Sequence, residues 1–268
     1  MSRQPWDQGS QRPQQHYLVE PRYLAGGGDL RHVTEYLRAS GWKDLSKTGG
    51  PIVFDSPDKS VRIGFDPLVQ PGGWTIRGKA NGQQEAWHAT FGLHTPVEIV
   101  AGFTDALTQP PRSAHAPNSW APLERRGWQA APGPHITAVS PDKNAWLQWH
   151  ESGPDAAHWW ASARTEHGTA WHAILTPTTP MHLVEAFSAA LANPKPVMRP
   201  RGTFPFSNRI STTSVSVLPA QLSAWQQARI TAARAAAWAR SNWANARPRT
   251  TTPTTTANTA AGKARAHR

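Results

Sequence analysis

Apolar residues along this chain change period often, and the changes mark short elements. His16-Tyr17-Leu18-Val19 opens a brief strand-like run that Pro21 breaks. After Gly26-Gly27-Gly28, Asp29 stands where it can cap a helix on which Val33, Tyr36 and Leu37 recur at helical spacing, and Gly41 supplies the stop. Ile52 to Phe54 reads as a strand, Ser56-Pro57-Asp58-Lys59 as a tight turn, and the alternating Val61, Ile63 and Phe65 as the next strand. Trp74 to Arg77 and Glu85 to Phe91 give two more. Pro96 then opens a helix with Ile99, Val100, Phe103, Ala106 and Leu107 at helical spacing, and Pro110 ends it.

The same pattern returns. Residues 56–110 lie over 140–194 at a constant offset of 84 without a gap, and 15 of the 55 positions are identical. The matches come in blocks, among them Ser-Pro-Asp-Lys at 56 and 140 and Ala-Trp-His-Ala at 86 and 170. Gly41-Trp42 is matched by Gly127-Trp128 at a slightly longer offset. Blocks of identity at one spacing mean a duplicated unit. Each unit reads as a helix, four short strands and a helix. The expected fold is therefore α+β, a tandem duplication of a small antiparallel sheet flanked by helices, with a basic helical and disordered C-terminal arm. The expected boundaries are a disordered start over 1–15, repeats over 16–110 and 122–196, and a linker over 111–121. An extended connection over 197–218 then leads to an Ala, Arg and Trp rich helix over 219–247 and a disordered basic tail over 248–268.

Charge alters this picture. The net charge of +11 sits almost wholly in the arm, because ten Lys and Arg follow Pro200 and the last acidic residue is Glu185. Arg229, Arg234, Arg240, Arg247, Arg249, Lys263, Arg265 and Arg268 have no acid near them in sequence, which suits phosphate binding through counterion release. On a helical wheel Arg229, Arg240 and Arg247 share a wedge with Trp225 and Trp243, while Ile230 and Trp238 face away. The chain has no cysteine, which excludes disulfides and thiolate chemistry and fits a reducing cytoplasm. No apolar stretch is long enough to span a bilayer, so a cytoplasmic protein with no membrane span is expected.

Candidate chemistry is sparse. No nucleophile elbow, phosphate-binding loop or HExxH spacing occurs, so no catalytic residue, metal or cofactor is expected. Trp87-His88 and Trp171-His172 are the sharpest shared polar feature, and strand alternation sends one residue of each pair to either face. A symmetric pocket would take His88 and His172 first; a surface role for both is the plainer account. Trp159 and Trp160 are adjacent, so one of them faces outward, towards the other repeat or towards a partner.

The residues His16 to Val19 and Tyr23 to Asp29, the two Gly-Trp pairs, the two Ser-Pro-Asp-Lys turns and the two Trp-His-Ala blocks resemble a family of Streptomyces and related actinobacteria, domain of unknown function 317. The resemblance covers roughly residues 16–196 and implies a cytoplasmic protein with a tandem pair of domains and no established activity. The expectation is non-enzymatic binding of DNA or RNA through the arm. The alternative is a protein-interaction scaffold or regulatory adaptor using the Trp-rich repeats, which pack against each other.

Overall fold

The computed structural model describes residues 12–82, 84–109, 116–131, 133, 135–151 and 157–246, the last seven by their backbone alone. In the first unit α1 (Arg31–Ala39) leads to β2 (Lys43–Asp44), β3 (Ile52–Asp55), β4 (Val61–Asp66), β5 (Gly73–Gly78), β6 (Trp87–Gly92) and α2 (Val97–Thr108). The second unit repeats it as α3 (Ala121–Glu124), β7 (Gln129–Ala130), β8 (Ile136–Val139), β9 (Ala145–His150), β10 (His158–Thr165), β11 (Gly168–Leu175) and α4 (Met181–Leu191). Asp29 stands one residue before the α1 N-cap, Leu30, and still accepts the Arg31 N–H at 2.9 Å.

The signature turns are alike to a tenth of an ångström or so. In each, the serine hydroxyl donates to the aspartate at 2.6 Å, and the lysine N–H returns to the serine carbonyl at 2.9 Å. The serine oxygen also accepts the N–H of the first residue of the following strand, Val61 or Ala145, at 2.9 Å. Lys59 and Lys143 both sit in the left-handed region, at φ 60° and 59°. Both carboxyls are thereby committed to the turn.

Within each unit the strands form an antiparallel meander, and the two meanders join. β6 pairs antiparallel with β11, giving one ten-stranded sheet in the order β2-β3-β4-β5-β6-β11-β10-β9-β8-β7. Thr90 pairs with Ile174, its own counterpart in the other unit, so a local two-fold axis passes through that pair. At about 4.8 Å per strand the sheet is roughly 45 Å across. From β3 to α2 the offset of 84 holds except between β5 and β10. There Trp74, which pairs with Phe65, corresponds to Trp159, which pairs with Trp149, and not to His158. The loop before β10 is one residue longer, and a bulge between Ala163 and Arg164 restores the count. A one-residue slip exchanges the two faces of a strand, so this correction decides which side chains look outward.

Helices cover one face only. α2 and α4 lie together against it, with Phe103 of α2 and Phe187 of α4 both packed on Phe91 of β6 at ring separations of 5.4 and 5.7 Å. They cross closely because Gly102 faces Ala190: a Cβ added at Gly102 would stand 2.3 Å from the Ala190 Cβ. Gly102→Val is therefore expected to wedge the two units apart and to cost about 1–3 kcal/mol. A urea titration reads this as a lower midpoint; an unchanged midpoint would show that the crossing has slack.

The termini of the described chain add a second layer. β1 (Gln14–Glu20) is the centre of a three-stranded sheet between β12 (Val197–Pro200) and β13 (Ser211–Val217). Arg199 of β12 buries its guanidinium against Glu98 at 2.7 Å and also donates to the carbonyls of Ala25 and Gly26. The triple glycine is no linker. Gly27 gives its carbonyl to the Val97 N–H at the start of α2, and Gly28, at φ +83°, lies so close to Arg199 and Val97 that a side chain there would collide with both.

The long helix α5 (Pro219–Ala246) docks on α1. Its inward stripe is Leu222, Gln226, Arg229, Ile230, Ala233 and Ala237. Arg229, expected to stand free of acids beside Trp225, instead pairs with Asp105 of α2 at 2.6 Å, donates to the His32 carbonyl and lies over the Tyr36 ring at 4.3 Å. Asp105 is 124 residues away in sequence, so no local charge count could find it. Trp225 and Trp238 are exposed. No helix among the described residues is long and apolar enough to cross a membrane.

Candidate binding face

Opposite the helices, no element among the described residues covers the ten-stranded sheet. Its inward positions, such as Phe54, Ile63, Ile76, Ala89, Ala173, Ala161 and Leu147, are buried in one continuous core. The alternate positions form outward rows that run unbroken through the two-fold axis. One is Val53, Gly64, Thr75, Thr90, Ile174, Trp160, Gln148 and Thr137. Beside it run Asp55, Arg62, Arg77, His88 and Thr176, the last bonded to the His88 backbone. These outward side chains are exposed or half-buried.

The alternation settles the paired candidates. Trp87 and Trp171 point inward and are buried, as is Trp159, so these three are not surface residues. The Trp171 indole N–H donates to the Tyr23 carbonyl at 2.7 Å, and Trp159 packs between Trp120 and Trp149 inside the second unit. His88, His172 and Trp160 are the outward partners. His88 and His172 share the open face but stand four residues apart along antiparallel strands, roughly 13 Å, so they form no joint pocket. In the arm, Arg234 is exposed and Arg229 is engaged. The Arg240 side chain, Arg247, Arg249, Lys263, Arg265 and Arg268 lie outside the described residues.

The face is chemically uneven. On the first unit Arg62 is held by Asp55 at 2.7 Å, and Asp66 lies on the same side, while Arg77 has no carboxylate opposite it. On the second unit the outward positions of β8 to β11 carry Trp146, Trp160, Gln148, Arg164 and histidines, and no acid. His135, His150 and His158 lie side by side, with ring centroids 3.6 and 5.1 Å apart, and Trp160 is 6.1 Å from His150. Desolvation, and then the like charges of His135 and His158, hold His150 below the ordinary imidazole range.

A cleft of about 600 Å3 opens at the outer end of this unit, between its Ser-Pro-Asp-Lys turn and the face of β7 to β9. Its chemistry comes from Lys143, Trp146, Arg164, Gln148, Thr137 and His135. The Arg164 guanidinium lies over the Trp146 ring at 5.7 Å, and the Gln148 amide donates to the Thr137 hydroxyl at 3.1 Å. The sequence shows Trp146 only as one of four tryptophans, with Trp149, Trp159 and Trp160, that crowd one β region and cannot all face the core, and it does not mark Arg164. The signal was present, because the position of Trp146 in the first unit is Arg62, a residue that faces water.

Domain of unknown function (DUF317) matches the chain twice, over residues 55–112 and 139–197. The chain thus holds two segments similar to this domain, which span β4 to α2 and β9 to α4 and supply the six central strands of the large sheet. Comparison with curated proteins and with solved structures gives no match.

Proposed function

We propose that this tandem-domain protein is a non-enzymatic nucleic-acid-binding protein that takes single-stranded DNA or RNA on the open face of its sheet, with the basic C-terminal arm adding affinity without sequence preference. The observation that carries this reading is that face itself. A sheet face that no described element covers, carrying half-buried Trp160 and Trp146, with Arg164 over the Trp146 ring and Arg77 further along the same side, combines stacking platforms with cations. Unpaired bases offer a flat ring for the first and a phosphate for the second. Duplex recognition has less support, since a broad sheet face enters neither groove, and Arg229 of the arm helix is spent on Asp105. A protein partner is the alternative reading, favoured by the exposed Trp225 and Trp238 on α5.

Fluorescence anisotropy of the full chain with labelled single-stranded and duplex oligonucleotides, at about 50 and 200 mM salt, tests the proposal. Single strands should bind more tightly than duplex, affinity should fall with salt, and Trp160→Ala should weaken it by roughly 1–3 kcal/mol. Salt-independent binding, or a Trp160→Ala chain indistinguishable from the parent, would remove the sheet face as the site. No binding under any condition would leave the protein-partner reading.

A further inference from the structure

The two copies share their strand order and turn geometry, yet the residues that line the cleft of the second have counterparts of different chemistry in the first. Register and turn geometry define the equivalences. Lys143 answers to Lys59 in the matching turns. Val139 and Trp146, paired across β8 and β9, answer to Asp55 and Arg62, paired across β3 and β4. Arg164 answers to Lys79, because their N–H groups bond the Asn144 and Ser60 carbonyls in the same way, both at 2.8 Å. Gln148 and Thr137 answer to Gly64 and Val53. In the first copy this corner carries the Asp55–Arg62 ion pair, which neutralises itself. In the second copy the pair is replaced by an aliphatic wall and an indole. The cations at Lys143 and Arg164 are retained, and no carboxylate is among the described residues lining the cleft.

We propose that this cleft is a binding site for one nucleoside monophosphate unit, with the base stacked against the Trp146–Arg164 pair and the phosphate held by Lys143 at the rim. Three features select that class. Two cations without a lining acid select an anion. An indole beside a guanidinium selects a flat, electron-rich ring, which inorganic phosphate or a sugar phosphate lacks. The volume falls in the range of small-ligand sites and admits one nucleotide rather than a folded segment. The Gln148 amide and Thr137 hydroxyl supply donor and acceptor groups along the wall, where a base presents its edge. The same chemistry is offered by a free nucleotide and by an unpaired residue of a strand. This inference deepens the single-strand reading, and it also stands without it if the ligand is the free nucleotide.

Isothermal titration of the full chain with AMP, UMP, adenosine and inorganic phosphate, beside a short single-stranded oligonucleotide, separates these cases. AMP or UMP is expected to bind, adenosine and phosphate more weakly, and Trp146→Ala or Lys143→Ala to weaken nucleotide binding about tenfold or more. Lys59→Ala in the first copy should leave it unchanged. Because the first copy shows that an Asp–Arg pair fits this position, Val139→Asp with Trp146→Arg is a folded control that should abolish binding. If mononucleotides bind and the oligonucleotide does not, the cleft stands as a free-nucleotide site and the single-strand function falls. If the oligonucleotide binds equally to the parent and to the doubly substituted chain, the cleft proposal falls and the sheet-face reading survives. Phosphate binding as tightly as AMP would also overturn it, because the indole would then contribute nothing.

Discussion

Replacing Arg199 by alanine is expected to destabilise the chain by about 3–5 kcal/mol, the usual consequence of leaving one member of a buried ion pair alone. Arg199 is almost wholly enclosed, and its donors are consumed by both Glu98 oxygens and by the carbonyls of Ala25, Gly26 and Met198. Burial alone would raise the Glu98 carboxyl; the hydrogen bonds and charge of Arg199 outweigh it and keep Glu98 below its ordinary value. Without the guanidinium, a carboxylate and three carbonyls lose this donor at once, where β12, the glycine loop and α2 meet. Arg199→Met combined with Glu98→Leu should recover part of the loss, because no charge is then stranded. Urea melts of the two variants decide it. A single variant within about 1 kcal/mol of the parent would mean that the glycine loop can rearrange to take the charge.

Acidification should weaken the fold through its histidines, above the range in which Asp58 and Asp142 titrate. His32 on α1 lies beneath the docked arm helix, and its imidazole is lowered from 6.5 to about 4, first by desolvation and then by the positive charge of Arg229, with Arg199 and Arg22 adding to it and Glu98 opposing. The sign follows from proton uptake. The unfolded chain protonates this histidine near 6.5 while the folded chain resists until about 4. Stability is therefore intact above that upper value and is lost as pH falls through the window, by about 3 kcal/mol at its lower end. His150 and His182, also lowered by desolvation, act in the same direction. Asp58, held low first by the Ser56 hydroxyl, and Asp142, whose burial is outweighed by its hydrogen bonds, contribute their losses below that window. Stability measured from pH 7 to pH 4 should fall steeply in the parent and much less in His32→Gln. Identical profiles would show that His32 is hydrated and ordinary.

Much of this architecture was legible because it depends on local chemistry written twice. The Ser-Pro-Asp-Lys turns, the proline-led helices α2 and α4 and the Gly41 stop need only neighbours in sequence to form. The orientation of the Trp-His pairs was legible too, since Trp87, Ala89 and Phe91 alternate with His88, Thr90 and Gly92, and the apolar parity must face the helices. What escaped depends on distance. Nothing near β6 announces that its free edge takes β11. A single extra residue before β10, which a gapless overlay conceals, turned the apparent partner of Trp74 from an inward tryptophan into an outward histidine. Arg229 looked free because Asp105 comes from another helix. Trp146 was hidden by its own hydrophobicity, since an indole on a strand is read as core unless its counterpart, here Arg62, shows where the position points.

The two-fold axis through Thr90 and Ile174 bears on how such a chain arises. A lone copy would end at an unpaired β6 edge, and two lone copies would close that edge by the same pairing seen here between β6 and β11. The tandem chain is thus the covalent form of a symmetric dimer. In a dimer of identical chains every substitution appears on both sides, so a cleft gained in one half is gained in the other, together with any cost to the fold. Fusion lifts that constraint: one half can keep its Asp55–Arg62 pair and hold the scaffold, while the other is free to specialise.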